Sequence, residues 1–212
     1  MIEVFELKPD DGLKPIISAQ ASLIEYKDGI LRWVRMVAPL TPELNALTDT
    51  LNLSDSLTEV LFQNDVSSTV ETDRTGMVMA LPVADPEREQ TRMLRVACIA
   101  NTLVTIEEHA LPTIDRVVIE QSGTAGLGLT LPGLLVDVIE AGAGTAGPLY
   151  LSLSHRLERL AEAVEENPRQ VRPEALLAIR SDVARLTMLW HEQIHGLRDL
   201  KRCHSYIPVA DS

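Results

Sequence analysis

A chain of 212 residues, 45% hydrophobic and 24% charged, has an ordinary globular composition and enough length for one sizeable core with an appendage. Its 31 Asp and Glu outnumber 19 Lys and Arg, giving a formal charge of -12. That balance argues against nucleic acid as a partner, since neutralising phosphates takes clustered Lys and Arg; it suits cations, basic partners or simple solubility.

In chain order, residues 2–7 (IEVFEL) and 30–38 (ILRWVRMVA) predict strands, the second bounded by Lys27-Asp28-Gly29 and Pro39. LTPELNALTDTLNL then predicts a helix with Thr41 as N-cap, Pro42 in the first turn, Glu43 near the positive dipole end, and Leu44, Leu47 and Leu51 at helical spacing. A shorter helix follows from Ser54 or Asp55, carrying Leu57, Val60 and Leu61. Strands return at 66–72 and 77–83 around the turn DRTG, and MLRVACIANTLVTIEE predicts a hairpin turning at Asn101-Thr102. That makes six or seven strands before residue 110. Helical patterns begin near Pro112, break at QSGTAGLG and resume with LPGLLVDVIEAG. Strands segregated from helices predict an α+β fold, an α/β/α sandwich with a mixed, largely antiparallel sheet covered by helices.

The C-terminal third predicts a long antiparallel helical hairpin. Tyr150, Leu153, Leu157, Leu160 and Val164 alternate spacings of three and four; ENPRQVRP turns the chain; Leu176, Ile179, Val183, Leu186, Trp190, Leu197 and Leu200 continue the heptad, with Gln193 in one slot. The expected organisation is a body over residues 1–147, an arm over 148–204 packed on it, and a connection at 205–212.

Within the arm, His191-Glu192-Gln193-Ile194-His195 fits H-E-x-x-H, in which two histidines on one helix face hold Zn²⁺ and the glutamate activates its water. Here Trp190 and Leu197 as seam positions turn both histidines outward. The extended motif would need Gly and His where Arg198 and Lys201 stand. Asp199 and His204 are the remaining candidates for a third ligand, but one further helical turn rises about 6 Å and does not converge on the same ion. His191 and His195 are expected to be surface histidines on a helical arm.

No other motif carries chemistry. Cys98 and Cys203 are too few for a disulfide framework, which fits a reducing compartment. His109 and His155 are isolated, SGTAGLG lacks the lysine of a P-loop, and there is no G-x-S-x-G elbow. MIEVFELKPDDG has no leader character and no run reaches the roughly 18 apolar residues of a spanning helix, so a soluble, cytoplasmic chain is expected.

The order LRWVRMVAP, LTPELNALTDTLNLS, DSLTEVLF, then VACIANTLVTIEEHALPTIDRV and the heptad hairpin resembles the cytoplasmic N-terminal domain of the CorA family of divalent-cation channels and its zinc-transporting relatives. The resemblance covers residues 2–202, with NTLVT and the RWV…TPE segment its best motifs. It implies an α/β/α sandwich with long acidic helices, no enzymatic activity, and a pentameric funnel in which Mg²⁺ or another divalent cation between subunits holds a pore shut. It further implies that Glu59 and Glu140 fall at family ligand positions, while Val60 stands where the family often has aspartate, so one site is altered. The glycines of VDVIEAGAGTAGPLY, at 142, 144 and 147, are expected to break a helix and displace Glu140. The family's Gly-Met-Asn tripeptide and membrane helices are absent from this sequence, so the resemblance implies a domain of a longer transporter that meets the membrane only through a C-terminal region outside it. The alternatives are a zinc-dependent hydrolase built on residues 191–195 and a soluble interaction module using the helical arm.

Overall fold

The computed structural model describes residues 1–8, 11–16, 30–62, 67–85, 90–123, 129–167 and 172–203. Strands β1 (Ile2–Lys8), β2 (Gly12–Pro15), β3 (Leu31–Val37), β4 (Thr69–Thr72), β5 (Gly76–Asp85), β6 (Gln90–Ile99) and β7 (Thr102–Glu107) form one sheet in the order β2-β1-β3-β7-β6-β5-β4. Only β3 and β7 run parallel; the other neighbours are antiparallel. The helices are α1 (Thr41–Leu51), α2 (Asp55–Phe62), α3 (Pro112–Gly123), α4 (Leu131–Ala143), α5 (Ala146–Glu166) and α6 (Pro173–Arg202). The expected mixed sheet covered by helices is what forms. β2 has no counterpart in the sequence reading, because GLKP is too short to show alternation.

Both faces of the sheet are buried, which is why β5 reads as nearly continuous apolar sequence. Met77, Met79, Leu81 and Val83 point to one face and join Trp33, Leu94, Val96 and Leu103 beneath α3 and α4. Val78 and Ala80 point to the other, with Val34, Met36, Val104 and Ile106, under Leu47 of α1 and Leu57, Val60 and Leu61 of α2. The helix starts follow local chemistry. In α1 the cap is Leu40, one residue before the expected Thr41, because the Glu43 carboxylate reaches back to accept the Leu40 N–H at 2.7 Å. At α2 the expected Ser54 does cap, its Oγ accepting Leu57 N–H at 3.4 Å.

Of the three glycines expected to break the helix, Gly144 stands at a break, whereas Gly142 and Gly147 lie within helices. A Cβ on Gly142 would stand 2.8 Å from Leu94 Cδ2, so the glycine lets α4 settle against β6 and does not break the helix. The break falls at Gly144 and Thr145, after which α5 begins. Taken together, Leu131–Glu166 is long and apolar enough by length and composition to cross a membrane. In the fold, Leu131, Leu134, Leu135, Val138 and Ile139 of this run lie in the core beneath the sheet.

The arm departs from its predicted seam by half. Ile179 and Leu186 are buried with Leu153, as expected, but so are Leu189 and Gly196, while Trp190 and Leu197 stay 41% and 38% exposed. The reason is that α6 packs on two elements, α5 and the β4–β5 edge, so its covered stripe is rotated towards the sheet. A Cβ on Gly196 would meet Ser68 Cβ at 3.0 Å, which marks the close approach. Tyr150 and Trp190 still meet across the hairpin, their ring centroids 5.7 Å apart.

Gln193 occupies its heptad slot for a backbone reason. β4 pairs with β5 only as far as Ala80, which leaves the outer edge of β5 open beyond it. Gln193 Nε2 donates to Pro82 O at 2.9 Å, and Ala84 N–H donates to Thr145 Oγ1 at 2.8 Å, so the arm and the α4–α5 junction together satisfy that edge. Pro82 is tolerated because its N, on the same side as its carbonyl, faces away from β6. Gln193→Leu is expected to lower stability by about 1–3 kcal/mol by orphaning the buried carbonyl, read as a shifted urea midpoint with an unchanged m-value.

Candidate functional site

The two carboxylates singled out in the sequence ride on helices whose buried faces fix their direction. In α2, burial of Leu57, Val60 and Leu61 turns Glu59 to solvent. Val60, only 6% exposed, is a core residue of this chain and offers no ligand atom. In α4, Thr130 Oγ1 accepts Gly133 N–H at 3.2 Å and caps the helix, and the buried Leu134, Leu135, Val138 and Ile139 leave Glu140 exposed in its last turn. The helix is intact through Glu140, whose carbonyl accepts Gly144 N–H at 2.8 Å. Because α2 and α4 cover opposite faces of the sheet, the fold does not bring Glu59 and Glu140 together within one chain.

Glu140 has acidic company that the sequence reading missed. A groove of about 370 Å³ between α3 and α4 is lined by Glu120, Asp137 and Glu140 together with Arg116 and Gln121. Burial first, and then the charges of Glu140 and Glu120, push the Asp137 carboxyl above the usual carboxylate range, while the Gln121 amide, donating to Asp137 Oδ2 at 2.7 Å, works against them. The signal was present as an i, i+3 pair of acids on one helix face. Among the described residues no group of three or more His, Cys, Asp and Glu side chains is arranged to hold an ion within the single chain.

The H-E-x-x-H letters lie on α6 with both histidines outward as expected, although the covered stripe that turns them runs through Leu189, Gln193 and Gly196 and not through Trp190 and Leu197. His191 and His195 are exposed, and His195 Nδ1 sits 3.1 Å from Asp199. Glu192 is occupied structurally: its Oε2 accepts from Ser68 N at 2.9 Å and from Ser68 Oγ at 3.3 Å, tying α6 to the lead into β4. A glutamate committed to a backbone N–H is not placed as the base of a hydrolase. His204, the QSGTAGLG break beyond Gly123, the turn after Asn167 and the 205–212 connection lie outside the described residues.

A second polar cluster, also unforeseen, lies at the parallel junction. Arg35 of β3 donates from Nε and Nη2 to the two oxygens of the fully buried Glu107 at 2.6 and 2.9 Å, and its Nη1 lies 2.6 Å from Asp115 on α3. Glu107 also accepts Leu111 N–H at 2.8 Å. Burial alone would lower the Arg35 pKa; the hydrogen bonds and charges of Glu107 and Asp115 hold it above its ordinary value. The cluster fixes where α3 starts against the sheet, and so one wall of the acidic groove.

A model of the family described as CorA-like Mg²⁺ transporter protein matches residues 28–210. No curated protein sequence matches the chain. Among solved structures, the complete CorA magnesium transporter from Methanocaldococcus jannaschii is similar over 100% of this chain and 65% of its own, at 16% identity and TM-score 0.74. The soluble domain of CorA from the same organism is similar over 99% of this chain and 81% of its own, at 17% identity and TM-score 0.69. The ZntB cytoplasmic domain from Vibrio parahaemolyticus is similar over 97% of this chain and 80% of its own, at 14% identity and TM-score 0.73. At these identities the likeness to solved structures is one of fold. The chain spans about 65% of the length of the complete transporter it resembles.

Proposed function

Since the chain belongs to the CorA-like Mg²⁺ transporter family, we propose that it is the cytoplasmic, ion-sensing domain that gates a divalent-cation transporter, with Mg²⁺ as the cation. The observation that carries this reading is the family match over residues 28–210, joined to a fold shared along the whole chain with a complete magnesium transporter. The division into a body of residues 1–147 and an arm of 148–204 belongs to the same proposal, as does a position on the cytoplasmic side of a membrane.

The physics of gating follows from where the carboxylates stand. Glu59 and Glu140 project from opposite faces of the sheet, so a shared ion requires a second copy to bring the other ligand. In a ring of copies, a pentamer in the full transporter, facing carboxylates repel until a hard cation with oxygen ligands sits between them. Ion occupancy then stabilises the symmetric, closed arrangement by mass action, and losing the ion releases the copies. The grouping of Glu120 and Asp137 beside Glu140 at the α3–α4 groove supports this reading, because it gathers carboxylates on that surface.

The test is stability of the chain against added Mg²⁺, with Zn²⁺ as the comparison ion because a ZntB domain shares the fold. Mg²⁺ in millimolar excess over Kd is expected to raise stability by about 2–3 kcal/mol at a hundredfold excess. Glu59→Gln and Glu140→Gln are each expected to shrink that gain without lowering ion-free stability, since both side chains are exposed. An equal gain in the double variant would remove both residues from the site.

A further inference from the structure

α6 carries a histidine pair that the proposed function leaves unused. His191 and His195 stand four residues apart on the outer face of the helix, so their side chains are neighbours and their α-carbons are about 6 Å apart along the axis. Both are exposed. That spacing on a helix lets two imidazoles close on a single ion.

The fold adds two features that spacing alone does not supply. The first is a fixed orientation for one ring. His195 Nδ1 lies 3.1 Å from Asp199 Oδ2, and a ring nitrogen facing a carboxylate carries the hydrogen, so the lone pair sits on Nε2. Asp199 is itself held, since its Oδ1 accepts from Arg202 Nη1 at 3.0 Å. A carboxylate placed in this way sets the tautomer of a metal-binding histidine and raises its basicity. The second feature is a rigid footing. Glu192 accepts from Ser68 N–H at 2.9 Å, Gln193 donates to Pro82 O at 2.9 Å, and Gly196 packs against Ser68, so the turns that carry both histidines are fastened to the sheet edge from their inner side. The ligand geometry is therefore in place before any ion arrives, and binding loses little to ordering it.

We infer that His191 and His195 together bind one divalent transition-metal ion of the Zn²⁺, Ni²⁺ and Cu²⁺ class, through Nε2 of His195 and a ring nitrogen of His191, with water at the remaining positions. Imidazole suits these ions, whereas Mg²⁺ takes oxygen ligands and keeps its own waters. Two protein ligands with open positions make a reversible site, unlike the closed four-ligand sites that hold structural zinc. Glu192, which stands at the base position of the H-E-x-x-H pattern, is turned onto Ser68, so the pair binds metal without hydrolytic chemistry. The acidic balance of the chain, 31 Asp and Glu against 19 Lys and Arg, favours a cation at its surface. The site uses neither Glu59 nor Glu140, so it stands or falls apart from the Mg²⁺ sensing proposed above.

The test titrates Zn²⁺, and separately Mg²⁺, into the isotope-labelled chain and follows the imidazole nitrogens by NMR. Zn²⁺ is expected to give saturable shifts of both rings, with His195 Nε2 moving as a metallated nitrogen while Nδ1 stays protonated. Mg²⁺ should leave both rings unmoved. His191→Gln and His195→Gln are each expected to weaken Zn²⁺ binding at the remaining ring about a hundredfold, because each removes the chelating partner. Glutamine is at home on an exposed helix face, so the melting temperature should hold. The Glu59→Gln, Glu140→Gln double variant and Cys203→Ser should each leave the ring shifts as they are in the wild-type chain. Rings that stay unmoved in millimolar Zn²⁺, an affinity unchanged in either histidine variant, or ring shifts lost in the carboxylate or cysteine variants would each overturn the inference.

Discussion

Replacing Arg35 with alanine is expected to lower the chain's stability by about 3–5 kcal/mol, a large share of the 5–15 kcal/mol typical of a folded domain. Arg35 is 3% exposed and Glu107 is fully buried, so the substitution leaves a carboxylate in the interior with only the Leu111 N–H to answer it. The loss comes mainly from stranding that charge, because a buried pair is worth little over an apolar replacement once both members are gone. The double substitution Arg35→Met with Glu107→Leu is therefore expected to recover part of the loss, although Leu111 N–H then loses its acceptor. Urea denaturation of the two singles and the double closes the cycle. A cost for Arg35→Ala below about 1 kcal/mol would mean that water reaches the pair.

Trp33→Ala carries the second large expected effect, again about 3–5 kcal/mol. Trp33 is fully buried in the middle of β3, its ring centroid 5.5 Å from that of Phe5, and its Nε1 donates to Thr105 Oγ1 at 3.0 Å across the parallel pair. Truncation removes the largest buried side chain on that face and orphans the Thr105 hydroxyl. Trp33→Phe separates the two contributions, since it keeps much of the apolar volume and loses the hydrogen bond. It is expected to cost about 1–3 kcal/mol, and near-equal losses for the two variants would assign the effect to the hydrogen bond alone.

What could be read from the residues depended on whether one periodicity acted alone. β3 and β5 were legible because their apolar runs are bounded by turn residues, and the α2 start because Ser54 sits where an N-cap must. The Leu40 cap was not legible: it works through the Glu43 side chain, and a leucine carries no capping atom of its own. The arm shows the same limit. A single heptad phase places Trp190 and Leu197 on the seam, whereas α6 divides its contacts between α5 and the sheet edge, and only Gly196 hinted at that closeness. Helix propensity, which is local, marks Gly142 as a breaker, while its use, a close approach to Leu94, is tertiary.

The site was half legible for the same reason. The exposed direction of Glu59 and Glu140 follows from helix phase once the buried residues of α2 and α4 are known. That the two stand on opposite faces of the sheet follows only from topology, through the switch between β3 and β7. The Arg35–Glu107–Asp115 cluster joins residues 72 and 80 positions apart, a register that no local pattern encodes.

The most direct measurement is the mass of the native chain with and without Mg²⁺, by sedimentation or native mass spectrometry, run beside the Glu59→Gln, Glu140→Gln double variant. Gating through ions shared between copies predicts that Mg²⁺ drives the wild-type chain into a higher-order assembly and leaves the double variant unassembled. A wild-type chain whose mass is the same with Mg²⁺ and with a chelator would contradict it.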